Sequence, residues 1–168
     1  MPKRQARAKT KPSRTAGPSV LVLLRADHEA VTALFDRYEK TKGMSQKNAL
    51  AAKICNELKV HAQVEEEIFY PELRQAEGTG DVDDMLNEAD VEHDGAKKLI
   101  AEIEASSADD ELFDARITVL GEYVKHHVKE EQSDIFKAAR KSSLDLKEVG
   151  ARLAARKKQL KREFAKQA

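Results

Sequence analysis

The chain has 168 residues, of which 36 % are charged and 5 % aromatic, with seven Gly, four Pro and one Cys. That length supports one domain with a real core, and a single cysteine, Cys55, excludes an intramolecular disulfide and fits a reducing compartment. No apolar run nears the roughly 18–20 residues of a membrane span, so the composition points to a cytoplasmic, helix-rich protein with solvated outer faces.

Thirty Lys and Arg balance thirty Asp and Glu, but unevenly. Residues 1–18 hold six basic residues and no acid, and residues 151–168 hold seven and only Glu163. The middle is therefore acidic. This excludes a uniformly basic nucleic-acid surface, while leaving the basic tails able to touch phosphate or an acidic partner.

Residues 1–18 read as a disordered basic tail. Pro2, Pro12 and Pro18 interrupt it and no amphipathic face is visible; an organellar transit peptide is the alternative. Ser19 is the expected N-cap of a first helix, whose stripe is Leu21, Leu24, His28, Val31, Phe35 and Tyr38, running to about Lys42. Gly43 ends it, and Ser45 can cap a second helix carrying Leu50, Ile54, Leu58, His61, Glu65 and Ile68, which reaches about Ala76. "GTGD" at 78–81 is a break. The third stripe is Leu86, Ala89, His93, Ala96, Ile100 and Ile103. After a loop at 106–111, the fourth is Phe113, Ile117, Leu120, Val124, His127, Glu131 and Ile135, ending near Lys141. "SSLD" at 142–145 starts a shorter helix with Leu146, Val149, Leu153 and Leu160 on its apolar side. The predicted fold is all-α: an up-down-up-down four-helix bundle over 19–141, with an additional amphipathic C-terminal helix over 142–168.

In each of the four long stripes a histidine takes a core position: His28, His61, His93 and His127, at intervals of 33, 32 and 34 residues. One helix plus one loop returns an antiparallel chain to similar depth, so the four imidazoles are expected to meet on one cross-section. Glu65 and Glu131 follow His61 and His127 by four residues and share their inward face. Burying these groups together is costly unless a cation pairs with them. A lone core histidine is more often a hydrogen-bonded structural residue, and His-x-x-x-Glu can arise by chance in a Glu-rich helix. Four in-register histidines favour a metal site.

His126–Glu130 is the alternative register for the last motif, since neighbouring helix positions point about 100° apart. Glu66, Glu67 and Glu130 are most simply solvated, although Glu66 or Glu67 could support a ligand from outside. Tyr123 and Tyr70 could each turn a hydroxyl toward the site or sit at the core edge. Cys55 reads as an ordinary semi-buried residue.

The chain also looks duplicated. "DHEAVTALFDRYE" (27–39) resembles "EHDGAKKLIAEIE" (92–104), and "HAQVEEEIFYP" aligns with "HVKEEQSDIFK". Two like halves suggest two like metals bridged by Glu65 and Glu131. Nitrogen and oxygen donors without thiolate suit Fe, a set that Mn and Zn also satisfy.

These motifs, "LLRADHEAV", "HAQVEEEIFYP", "EADVEHDGAKKLI" and "HHVKEEQSDIF", resemble those of the hemerythrin-like HHE cation-binding family over residues 19–140. The resemblance implies a non-haem di-iron centre that binds or senses O2, peroxide or NO, with roles in stress response or iron handling. The chain departs from true hemerythrins in having Lys97 where they place another third-helix histidine, and Glu131 in place of an Asp; both make reversible O2 carriage doubtful. Lys137, where the first motif has Pro71, suggests that the fourth helix continues unbroken. The rival expectations are a catalase-like or NO-processing enzyme, and an interaction or DNA-associated bundle acting through its basic tails.

Overall fold

The computed structural model describes residues 17–77 and 80–166. Among the described residues every regular element is helical. Helix α1 spans Val20–Glu39. Helix α2 comprises Met44–Val64, a π-helical turn Glu65–Phe69 and the continuation Tyr70–Glu77. Helix α3 is Gly80–Glu104. Helix α4 repeats the construction of α2, with Phe113–Glu130, a π-turn Glu131–Ile135 and Phe136–Lys141. Helix α5 is Leu146–Phe164. The basic tail expected before residue 17 and the first half of the expected break at 78–81 lie outside the described residues; Gly80 is already helical.

The helix ends are set by backbone geometry more than by side chains. Ser19 occupies the α1 N-cap without a side-chain hydrogen bond, and Gly43, not Ser45, occupies that of α2. Among the helices whose N-cap is described, α5 has a polar cap that bonds the backbone: Asp145 accepts from Lys147 and Glu148.

The π-turns are the departure from regular periodicity. The N–H of Tyr70 donates to the Glu65 carbonyl, and that of Phe136 to the Glu131 carbonyl, each five residues back. One extra residue rotates the following stripe by about 100°. The inward residues after Glu65 are consequently Phe69, Tyr70 and Leu73, whereas Ile68 is only partly buried. After Glu131 they are Ile135, Phe136 and Ala139. The fourth helix thus continues past Lys137 but with the same irregularity as the second. Pro71 is tolerated because it falls in the first turn after the π segment.

The core is two apolar clusters. One gathers Leu24, Val64, Phe69, Leu73, Leu86, Phe136 and, from α5, Val149, Leu153 and Leu160. The other gathers Val31, Ile54, Leu58, Ile100, Ile117, Leu120 and Val124. On α1, α2 and α4 the buried histidine lies between residues of the two clusters. The polar layer therefore divides the core in two.

Helix α5 packs chiefly on α1 and α2. Gly150 makes this approach close: a Cβ there would stand 2.6 Å from the Pro18 carbonyl oxygen and 2.7 Å from the Val20 nitrogen. Its basic residues are engaged with the acidic bundle. Arg152 pairs with Glu72, Arg156 with Glu67, Lys157 with Asp27 and Lys161 with Glu57. Four of the seven basic residues after position 150 are thus an electrostatic strap, not a free phosphate-binding surface.

Candidate metal centre

All six expected residues converge. His28, His61, His93 and His127 are buried, Glu65 is 0 % exposed and Glu131 1 %. His28 Nε2 lies 3.1 Å from His61 Nε2 and 3.1 Å from Glu131 Oε2. His61 Nε2 is 3.2 Å from Glu65 Oε1. In the other half, His93 Nε2 lies 3.2 Å from His127 Nε2 and 3.4 Å from Glu65 Oε2. Two donor groups result: His28, His61, Glu65 and Glu131, and Glu65, His93 and His127. Glu65 offers one oxygen to each. Glu131 belongs to the first group alone, so the expectation of two equivalent bridging carboxylates does not match this arrangement.

Each imidazole is held from behind through Nδ1. Asp27 Oδ2 is 3.5 Å from His61 Nδ1, and Glu92 Oε2 is 2.8 Å from His127 Nδ1. Glu66 Oε1 is 2.9 Å from His93 Nδ1, and the Gln132 amide is 2.9 Å from His28 Nδ1. The partners obey the duplication. The acid directly before each lone histidine holds the His-x-x-x-Glu histidine of the next helix. The residue directly after each motif glutamate holds a lone histidine of the opposite half. Glu66 was foreseeable as a supporting group; Asp27, Glu92 and Gln132 were missed. The signal available was the "DH" and "EH" pairs and the alignment of Glu66 with Gln132. The three carboxylates fix ring orientation and tautomer, leaving Nε2 of His61, His93 and His127 free to ligate, while Gln132 orients the His28 ring. Glu67, paired with Arg156, stays at the surface.

The donor chemistry fits a cation. With Nδ1–H donating outward to a carboxylate on His61, His93 and His127, their Nε2 atoms carry lone pairs, and those of His93 and His127 face each other at 3.2 Å; His28 Nδ1 instead accepts from the Gln132 amide. Glu65 Oε1 and both Glu131 oxygens are buried without a hydrogen-bond partner among the described residues. Acceptors converging on one another are stable only with positive charge between them. Without a cation, protons take that role. Burial opposes charge on His61, but Glu65 and Asp27 outweigh it and raise its pKa to about 9. His93 is likewise raised to about 9 against burial, by Glu65 and Glu66. Burial and the neighbouring His61 hold His28 down to about 3. Burial and Glu65 push Glu131 well above the carboxylate range, whereas His61 and His93 overcome burial to hold Glu65 well below it.

Tyr70, placed inward by the π-turn, stacks on His93 with centroids 5.7 Å apart and donates its hydroxyl toward Glu65 Oε2 at 3.4 Å. Burial, Glu65 and Glu131 keep that hydroxyl protonated. Tyr123 does not reach the centre; it is 43 % exposed and lies over Gly95. Cys55 is fully buried, and burial pushes its thiol up to about 12.

The sequence model of the hemerythrin HHE cation binding domain matches residues 19–139. The chain belongs to this family. Among solved structures, a hemerythrin HHE cation binding domain-containing protein from Mycobacterium kansasii has the same fold. Its TM-score is 0.74 at 19 % identity, over 86 % of this chain and 88 % of that one. A curated relative from Nostoc sp., named a DNA nickase, is 30 % identical over 118 residues. Those residues are 70 % of this hemerythrin-like chain and 32 % of the relative, so the chain spans about a third of that protein's length. No helix among the described residues is long and apolar enough to cross a membrane.

Proposed function

We propose that the chain is a cytoplasmic non-haem di-iron protein that binds or senses O2 and the related small oxidants peroxide and NO, in stress response or iron handling. The carrying observation is Glu65, whose two oxygens serve two separate histidine pairs. His28, His61, Glu65 and Glu131 would hold one iron; Glu65, His93 and His127 would hold the other. Bound iron supplies redox chemistry and positions for an exogenous small ligand. The chain's own residues do the rest. Asp27, Glu66, Glu92 and Gln132 orient the rings. Tyr70 offers a proton to Glu65. Val31, Leu58, Val124 and Val128 wall a cavity of about 20 Å³ that touches His28, His61 and His127. Asp27 and Glu57 share the lining, and the volume has room for about one water-sized molecule.

Anaerobically iron-loaded protein is expected to hold about two Fe per chain and to change its absorption spectrum on exposure to O2, peroxide or NO. Failure to retain iron together with a featureless spectrum refutes the proposal. The enzymatic alternative, peroxide or NO turnover, predicts oxygen evolution from peroxide that is lost in His61→Ala.

A second reading, contact with nucleic acid, draws on the relative named a DNA nickase. The ion pairs of α5 leave residues 1–18 as its main electrostatic resource. Salt-sensitive DNA binding that disappears on deleting residues 1–18 would support it; binding that is absent or indifferent to salt would retire it.

A further inference from the structure

One donor cluster lies outside the six converging residues. His126, next to His127 in the chain, points away from the centre and its side chain is 62 % exposed. Its Nε2 is 3.4 Å from Glu92 Oε1 and 3.2 Å from Glu130 Oε1. One imidazole nitrogen and two carboxylate oxygens thus lie within 4.8 Å of one another, a mixed nitrogen–oxygen set that suits first-row divalent cations. Among the described residues no Lys or Arg pairs with Glu92 or Glu130; both meet only histidines.

The cluster is joined to the centre in two ways. Glu92 faces both: Oε1 approaches His126 while Oε2 accepts from His127 Nδ1 at 2.8 Å. Beneath Glu92 and Glu130 runs a cavity of about 130 Å³, also lined by Glu88 and Asp134, with His127 and Glu131 in its wall. Glu131 is 1 % exposed and neither of its oxygens has a hydrogen-bond partner among the described residues. An unpartnered buried carboxyl therefore lines the cavity that begins under the surface cluster.

The duplication shows that this feature belongs to one half only. His126 and Glu130 align with Val60 and Val64, both buried in apolar surroundings. Asp27, the counterpart of Glu92, has its outer oxygen closed off by Lys157. The first half is sealed by valines and a lysine, whereas the second presents His126 and Glu130 to solvent, with Glu92 partly exposed behind them.

We propose that His126, Glu130 and Glu92 form a loading site, which captures a divalent first-row cation from solvent and passes it through the acidic cavity to Glu131 and His127. The proposal rests on the reading of Glu131 and His127 as metal ligands. A cleft lined by one sign of charge concentrates its counter-ion and accelerates capture by about 10–10³-fold, which a buried centre closed by valines elsewhere could not achieve by itself.

The test is Co2+ uptake by the full-length chain, followed by stopped-flow absorbance, with tightly held cobalt counted after desalting. The wild type is compared with His126→Ala, Glu130→Gln, the double variant, and Asp36→Asn as a control for lost charge elsewhere. Circular dichroism checks that each is folded. The loading site predicts unchanged tightly held cobalt in all chains, and uptake slower by about tenfold or more in the double variant, with the control at the wild-type rate. Uptake by the double variant at the wild-type rate overturns it. So does loss of a weakly held surface ion with no change in uptake rate, which would mark a surface ligand only. A wild-type chain that retains no cobalt would overturn the metal centre itself, and the loading site with it.

Discussion

Replacing Glu131 by Leu separates a group kept for metal from one kept for folding. Burial and Glu65 push the Glu131 carboxyl well above its usual range, so without a cation it is neutral. Leu is of similar volume and removes no charge. What it removes is a buried carboxyl whose two oxygens have no hydrogen-bond partner among the described residues. An unsatisfied buried polar group costs about 1–3 kcal/mol, so the cation-free variant should gain that much. For a chain of this size, about 2–4 °C of Tm accompanies each kcal/mol, which puts the cation-free Tm roughly 2–12 °C higher. With metal the order reverses. The wild type gains about 2.7 kcal/mol when the free cation is at one hundred times its Kd, while the variant lacks a donor and should bind at least about 10–100-fold more weakly. The assay is thermal unfolding by circular dichroism of chelator-treated protein, with and without Co2+ or anaerobic Fe2+. A cation-free variant less stable than the wild type, or an undiminished metal-induced Tm shift, would refute the assignment of Glu131 as a ligand retained at the expense of stability.

Lys157→Met should free Asp27 from α5 and loosen His61, weakening metal binding by about 10–100-fold with little change in helix content; equilibrium Co2+ titration reads it, and unchanged affinity would show that the Lys157–Asp27 contact is only decorative. Gly150→Ala should destabilise the chain by about 1–3 kcal/mol, because the added Cβ meets the backbone of Pro18–Val20, and urea unfolding should show a lower midpoint. The pH dependence follows from His61 and His93, both raised from 6.5 to about 9. Their charged forms stabilise the cation-free fold fully below pH 6.5, and that contribution disappears as pH rises through 9. A cation needs these imidazoles neutral and Glu131 ionised, so uptake should release protons and strengthen with pH toward 9. Calorimetry of Co2+ binding at pH 7 in buffers of different ionisation heat detects the release; an enthalpy independent of buffer would contradict it.

The helices and their histidines were legible because both obey a local rule. A 3.6-residue period places Leu24, His28 and Val31, or Val124 and His127, on one face whatever the neighbouring helix is. The choice of His127 over His126 followed from the same stripe. The near-equal intervals between histidines carried the long-range information, since one helix plus one loop returns an antiparallel chain to similar depth.

What lay beyond that rule was decided in three dimensions. The π-turns at Glu65 and Glu131 add one backbone residue each, a local irregularity that propensity does not encode. They turn Tyr70 and Phe136 inward, where a regular helix would direct Ile68 and its neighbours. Asp27, Glu92 and Gln132 lie off the apolar stripes and read as surface residues; only the packing of neighbouring helices puts them behind the imidazoles. The basic residues of α5 read as a free tail by count, yet the acidic flank of α1 and α2 claims four of them. The sequence by itself determined which residues enter the core up to each π-turn, because periodicity and hydrophobicity act within one helix. The tertiary structure alone decided which oxygen faces which nitrogen, because hydrogen bonds and ion pairs between helices depend on distances that no single helix contains.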